Sequence, residues 1–248
     1  MRDDKVALVT GGMGGLGTAI CRRLHRQGFR VAATYSPGNP TPEAWLAAQR
    51  DEGYRFAAYK VDVADYVDCE WMMQKLQAEM GGLDVLVNNA GITRDRSLRK
   101  MEQADWHAVL RADLDSVFNM SKQAIEPMMA QRWGRIVNIS SVNGQQGAFG
   151  QVNYAAAKAG MHGFTKALSL EMARHGITVN TVSPGYLRTR MVEAVPPEVL
   201  NGKILPQIPL GRLGEPDEVA GLVAYLVSDE AGFVTGANLA INGGQHMA

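Results

Sequence analysis

Lys5-Val-Ala-Leu-Val-Thr10-Gly-Gly-Met-Gly-Gly-Leu-Gly17 is the stretch from which the rest of the chain can be read. Lys5 to Thr10 is an apolar run without alternation, as expected of a parallel strand buried on both faces. Leu16, Ile20 and Leu24 then recur at four-residue spacing until Gly28 stops the helix. A buried strand, a glycine-rich turn and a helix in that order place backbone N–H groups and a positive helix end at the carboxyl edge of a sheet. That arrangement cradles a pyrophosphate. Gly11, Gly15 and Gly17, spaced G-x-x-x-G-x-G, let the phosphates approach the backbone, and Met13 and Leu16 join them as candidate dinucleotide contacts.

The same unit repeats along the chain. Strands are expected at Phe29–Tyr35, Phe56–Val63, Leu83–Val87, Arg135–Ile139 and Ile177–Val182. Helical periodicity separates them: a helix opened by Pro42 and containing Trp45, Leu46 and Gln49, one through Trp71 and Leu76, a long helical region to Arg132, and one from about Tyr154 to Arg174. Strand-helix alternation of this kind predicts an α/β fold, a single Rossmann-type doubly wound parallel sheet with helices on both faces. No second composition regime or linker appears, so residues 1–248 read as one domain. Arg188 to Gly214 is the exception. It has four prolines and weak periodicity, and a segment that long reads as a substrate lid.

Composition removes several classes of function. In 248 residues, 25 Lys and Arg balance 25 Asp and Glu, so no bulk charge drives nucleic-acid binding. Cys21 and Cys69 are too few and too far apart for a disulfide framework, which suits a reducing cytoplasm. Met1-Arg-Asp-Asp-Lys5 leads into no signal-peptide core, and no apolar stretch approaches the roughly 18 residues of a membrane span. His25, His107, His162, His175 and His246 are scattered, have no ligand spacing with a third partner, and read as surface or helix-packing residues, so no metal is expected. No G-x-S-x-G elbow supports a hydrolase.

The chemistry-bearing residues sit at strand ends. Asn88-Asn89-Ala90-Gly91 closes the fourth strand beside the same groove. Tyr154-Ala-Ala-Ala-Lys158 puts a phenol and an ammonium on one helical face. A phenol ordinarily titrates near pH 10 and is a poor acid or base at neutrality, but a fixed cation a few Å away favours its phenolate. Ser141, at the end of the fifth strand, can hold a substrate oxygen against that phenol.

Thr10 to Gly17, Asn88 to Gly91, Ser141, Tyr154, Lys158 and Pro184-Gly185 together resemble the ordered motifs of the short-chain dehydrogenase/reductases over essentially the whole chain. The resemblance implies hydride transfer between a nicotinamide and a carbonyl carbon. Tyr154 would exchange the oxygen's proton, Ser141 would orient it, and Lys158 would hold the nicotinamide ribose and acidify the phenol. Pro184, Gly185 and Thr189 would meet the carboxamide end, and Asp62 and Val63 the adenine. One position departs from the family pattern: Asp113-Leu-Asp-Ser-Val-Phe118 has an acid in the slot that usually holds Asn, so Asp113 is expected to keep the family's proton relay with an altered pH dependence.

Thr34-Tyr35-Ser36, at the end of the second strand, carries no acid to bond a ribose 2′-hydroxyl. NADPH is therefore favoured through Tyr35 and Ser36, with NADH possible because no arginine stands ready for a 2′-phosphate. Ser140 to Tyr154, Asn88 to Asp95 and Asn242-Gly-Gly-Gln-His-Met247 resemble the branch of the family that reduces acetoacetyl-CoA and related 3-ketoacyl thioesters to the (R)-3-hydroxy form, commonly toward polyhydroxyalkanoate. An acyl-CoA partner follows, with Gln151, Tyr186 and Phe149 as candidate acyl contacts and Arg94, Arg96, Arg99 and Lys100 near the mouth. Reductases of carrier-protein thioesters are the alternative: Arg132 matches one of their two docking cations, while His175 stands at the other. A catalytically silent dinucleotide sensor is a second alternative, favoured by Asp113 alone. Apolar and small residues around Ser116–Ala130 and Ala155–Ala173 imply, with the resemblance, a homotetramer.

Overall fold

The structure, a computed structural model, describes residues 4–189, 192 and 195–247. β1 (Val6–Val9), β2 (Arg30–Tyr35), β3 (Phe56–Lys60), β4 (Val85–Asn88), β5 (Gly134–Ile139), β6 (Ile177–Pro184) and β7 (Asn238–Ile241) form one sheet in the order β3-β2-β1-β4-β5-β6-β7. Every neighbouring pair is parallel. The connections run through α1 (Gly15–Arg26), α2 (Pro42–Asp51), α3 (Tyr66–Met80), α4 (Gln103–Leu110), α5 (Ser116–Gln131), α6 (Val142–Gln146), α7 (Val152–Met172) and α8 (Pro216–Leu226). Winding proceeds outward from β1 to β3 and then returns to place β4 on the other side of β1. That reversal opens a crevice at the carboxyl ends of β1 and β4.

Side chains alternate across the sheet, so β1 serves two cores. Val6 and Leu8 pack with Leu76 of α3 and Met120 and Met128 of α5, while Ala7 and Val9 pack with Ile20 and Leu24 of α1 and Val219 and Val223 of α8. This double burial is why the strands read as apolar runs. Among the described residues, no helix is long and apolar enough to cross a membrane.

Several expected boundaries move, for local reasons. β3 stops at Lys60 because residues 62–68 turn: the Asp62 N–H donates to the Asp68 carboxylate and Asp65 caps α3. β6 continues to Pro184 because β7 pairs with it there. The long helical region divides into α4, a π-turn at Arg111–Asp115, and α5. Three named elements lie beyond the alternation read from sequence, namely α6, α8 and the edge strand β7.

The segment expected as a lid has its feet tied together. Leu187 bridges Gly214, the Arg188 N–H donates to Gly214 and the Gly214 N–H donates to Tyr186. Between them run short helical turns at Pro197–Val199, Leu200–Ile204 and Leu205–Gln207, which bury Ile204 and Ile208 with Leu213. Residues 190, 191, 193 and 194 of that segment, like 1–3 and 248, lie outside the described residues.

Candidate active site

One cleft of about 1020 Å³ follows the carboxyl edge of the sheet across the crevice. Its volume is at the top of the range of roughly 300–1,000 Å³ usual for single-ligand pockets. It is lined by the glycine turn, the ends of β4 and β5, the start of α7 and Pro184 to Thr189.

The glycine turn is shaped for a pyrophosphate. Gly11 takes a positive φ of 59°, and its N–H donates to Thr34 Oγ1 at 3.1 Å. A Cβ on Gly12 would lie 2.6 Å from that of Ala33, and one on Gly17 would collide with the Gly11 carbonyl oxygen. α1 starts at Gly15 with no side-chain cap and no acid in its first turn. Its first N–H groups and its positive end are therefore left to a ligand anion in the cleft. The residues present fit a dinucleotide.

Asn89 holds this turn in place: its Nδ2 donates to Thr10 O at 2.8 Å and to Gly11 O at 3.3 Å, while the Asn89 and Ala90 N–H groups donate to Thr10 Oγ1. Thr189 closes over it from the other side, with Cγ2 3.5 Å from where a Gly15 Cβ would stand.

Tyr154, Lys158, Ser141 and Asp113 converge on the far side of the crevice. Lys158 is buried. Its Nζ donates to Ile139 O at 3.1 Å, lies 3.2 Å from Asp113 Oδ2, and stands 5.4 Å from the Tyr154 ring centroid. An ammonium has three protons, so one remains for the cleft. Asp113 is 0% exposed in the π-turn, and its Oδ1 accepts the Ile92 N–H at 2.8 Å. Its Oδ2 has only the ion-pair contact with Lys158 at 3.2 Å and no hydrogen-bond partner.

Burial pushes the Asp113 carboxyl above its ordinary range, against the opposing pull of Lys158 and the Ile92 N–H. For Lys158, burial works to lower the value, but Asp113 and Tyr154 outweigh it and the ammonium is held above its usual range. Gly91 makes room for this pair, since a Cβ there would lie 2.6 Å from Asp113 Oδ2.

Ser141 is the N-cap of α6, where its Oγ accepts the Asn143 N–H at 3.1 Å. Asn143 Nδ2 in turn donates to Gln151 Oε1, and Gln151 Nε2 donates to Asp95 Oδ2, each at 2.8 Å. Gln151 and Tyr186 line the cleft. Phe149 is 97% exposed and lies outside the lining. Gly147 and Gly150, both at positive φ, turn that loop so that the ring faces solvent.

Of the dinucleotide contacts expected from sequence, Gly11, Met13, Gly15, Leu16, Gly17, Asn89, Ala90, Gly91, Pro184, Gly185 and Thr189 line the cleft, whereas Tyr35, Ser36, Asp62 and Val63 do not. The Asp62 carboxylate accepts the Ala64 N–H, and the Val63 carbonyl accepts Asn119 Nδ2. Asn39 and Thr41 line the cleft instead, and Asn39 Nδ2 reaches Met13 Sδ at 3.4 Å. Their signal in the sequence was a polar, proline-rich loop directly after β2. Arg22 also reaches the cleft, but its guanidinium is engaged by Gln49 at 2.7 Å and Glu52 at 2.5 Å.

Comparisons with known proteins agree with this geometry. Acetoacetyl-CoA reductase of Cupriavidus necator is 55% identical over 244 residues, covering 98% of this chain and 99% of its own. The acetoacetyl-CoA reductase of Allochromatium vinosum is 50% identical over the same proportions. The 3-oxoacyl-[acyl-carrier-protein] reductase of Escherichia coli is 44% identical, covering 99% of this chain and 98% of its own. The family model described as short chain dehydrogenase matches residues 5–199, and the chain belongs to that family.

Proposed function

We propose that this chain is an NADPH-dependent reductase of 3-ketoacyl thioesters, acting on acetoacetyl-CoA to give the (R)-3-hydroxyacyl product. The observation that carries the reading is the meeting of Tyr154, Lys158 and Ser141 in the cleft that the glycine turn also lines. The full-length likeness to two acetoacetyl-CoA reductases supports the substrate.

A nicotinamide dinucleotide bound along the cleft supplies the hydride. The protein's own residues manage the oxygen and its proton. Ser141 Oγ, whose lone pair is engaged by the Asn143 N–H, turns its own proton toward the substrate carbonyl oxygen and polarises it. Tyr154 donates its phenolic proton to that oxygen as it becomes an alkoxide. The resulting phenolate is compensated by Lys158, which Ile139 O and Asp113 hold in place. NADPH is favoured over NADH because the residues of the loop after β2 that line the cleft, Asn39 and Thr41, carry no acid.

The segment 188–214 closes over the bound thioester as a lid, with Gln151 and Tyr186 against the acyl part. α5 and α7 build a homotetramer: Phe118 is half-exposed and stacked on Tyr66 at 6.1 Å, and Leu170 is exposed. A reducing cytoplasm suits Cys21 and Cys69, which are both free and buried.

A second reading, with the acyl chain on a carrier protein, is favoured by one contact. Arg132 Nη2 donates to the Arg174 carbonyl at 3.2 Å, so a second exposed arginine stands beside the first where His175 alone was expected. A substrate panel decides. Acetoacetyl-CoA, longer 3-ketoacyl-CoAs and a carrier-bound ketoacyl chain are compared under matched conditions, each with NADPH and NADH. Highest kcat/KM with acetoacetyl-CoA and NADPH, abolished in Tyr154→Phe, is expected. A strong preference for the carrier form, lost in Arg132→Ala with Arg174→Ala, would replace it, and dinucleotide binding without turnover of any ketone or thioester would mark a sensor.

A further inference from the structure

His162 lies on α7 one turn beyond Lys158, and its Nε2 touches two buried serine hydroxyls: Ser140 Oγ at 3.0 Å and Ser183 Oγ at 3.4 Å. The proton positions follow from a count. A hydroxyl has one proton, and Ser140 commits its own to the Lys158 carbonyl at 2.8 Å. Ser183 commits its proton to Asn238 Oδ1 at 2.7 Å. Both serines therefore have only lone pairs left for the imidazole, and Nε2 must carry the hydrogen that both accept. One N–H thus ties α7 to the end of β5 and to the end of β6, and through Ser183 to β7.

The neighbours of these serines matter. Side chains alternate along extended backbone. The Ser140 hydroxyl is turned to α7, where it donates to Lys158 O, while Ser141, the next residue, lines the cleft with its neighbour. Ser183 likewise precedes Pro184-Gly185, which line it too. Consecutive Cα atoms are about 3.8 Å apart, so anchoring Ser140 and Ser183 restrains Ser141 and Pro184 against displacements of about 1 Å relative to Tyr154 and Lys158. Reaction rates respond to displacements of that size.

We propose that His162 is a positioning residue of the reductase site: its Nε2–H locks the helix bearing Tyr154 and Lys158 to the strand ends bearing Ser141 and Pro184. This rests on the proposed reductase reading. Burial lowers the His162 pKa, with Lys166 one turn further acting in the same direction, so the ring is neutral at pH 7.

The test uses the full chain. His162→Leu removes the donor and keeps an apolar side chain of similar size; kcat for acetoacetyl-CoA reduction should fall at least tenfold while the Kd for NADPH changes less than threefold. His162→Gln, whose amide N–H reaches the place of Nε2–H, should recover most of the loss, and His162→Asn, one bond shorter, should not. In the cycle with Ser140→Ala, the double variant should be no slower than the slower single variant. Nitrogen-15 spectra of the ring at pH 7.5 should show a protonated Nε2 and a bare Nδ1, a readout that needs no turnover. Wild-type kcat in His162→Leu, losses that multiply in the double variant, no recovery with Gln, or a proton on Nδ1 alone would each overturn the proposal. Wild type inactive on every thioester would instead fail the substrate reading while the ring spectrum still reported on the clamp.

Discussion

Replacing Asp113 by Asn should move the pH–rate profile downward. The argument begins with the charges around Tyr154. Lys158 Nζ lies 5.4 Å from the ring centroid, so at an effective dielectric of about 20 it favours the phenolate by roughly 3 kcal/mol. Asp113 Oδ2 is 3.2 Å from that nitrogen, hence within roughly 9 Å of the ring, and opposes by roughly 2 kcal/mol. Asparagine keeps the shape, and its amide oxygen can still accept the Ile92 N–H. The opposing charge is removed, and the amide nitrogen that takes the place of Oδ2 no longer accepts from Lys158. Ketone reduction needs the phenol, so the alkaline limb of its kcat/KM should move down. Alcohol oxidation needs the phenolate, so its acid limb should move down as well, and oxidation near neutrality should quicken. Dinucleotide absorbance measured in both directions from about pH 6 to 10 reads both limbs. Limbs that stay within about 0.3 unit, or move upward, would refute an ionised Asp113 acting on this phenol.

Two glycines of the phosphate turn should separate folding from binding. Gly15→Ala meets only Thr189, at an ordinary 3.5 Å, so melting should stay level or rise slightly while dinucleotide affinity falls at least tenfold because the methyl group enters the cleft. Gly17→Ala, driven against the Gly11 carbonyl, should cost about 1–3 kcal/mol and lower the melting temperature with no ligand present; equal melting temperatures for the two variants would contradict this. Asp229, largely exposed, receives Trp133 Nε1 at 3.1 Å and lies 3.8 Å from buried Arg135, which also donates to the carbonyls of Gly134, Gly176 and Ser228. Asp229→Ala should therefore cost only about 1 kcal/mol, or roughly 2–4 °C in Tm by calorimetry. The depressed His162 pKa makes the folded state a weaker proton binder than the unfolded chain. Its stabilisation should be complete above the ordinary histidine range and lost as pH falls through the lower folded value, a slope in Tm against pH that His162→Gln should flatten.

Sheet and motifs were legible for one shared reason. Parallel strands covered on both faces are written as apolar runs, and cleft residues of such a sheet sit just past where those runs end, as Gly11, Asn89 and Ser141 do. β7 escaped because four residues, Asn238 to Ile241, partly exposed at the sheet edge, carry too little pattern to stand out. α8 carried its signals openly, in the Glu215–Glu218 capping box with Pro216 at its start, but they follow a proline-rich segment that breaks the alternation. Loop contacts were less legible still. Whether Ser36 or Asn39 faces the dinucleotide depends on the path of a turn, and the outward aim of Phe149 depends on two glycines with positive φ.

The least legible feature is the polar layer beneath the site. Asn88 Nδ2 donates to Asn138 Oδ1 and Asn138 Nδ2 to Thr165 Oγ1, each at 2.8 Å, and Thr165 meets Thr181 at 2.7 Å. This chain crosses β4, β5, α7 and β6 within the core, and in sequence its members other than Asn88 are isolated polar residues with no motif. An apolar layer would fill the same volume, but hydrophobic contact is tolerant of sliding, whereas each of these bonds has one partner at one distance. A slip of β5 by one residue would take Asn138 from both Asn88 and Thr165 and leave them only Ser121 and Thr181, at a cost of about 1 kcal/mol for each bond lost. The layer and the His162 contacts act on the same helix from the same side. Together they make the depth and rotation of α7, and with it the approach of Tyr154 to Ser141, a matter of directed bonds rather than of packing alone.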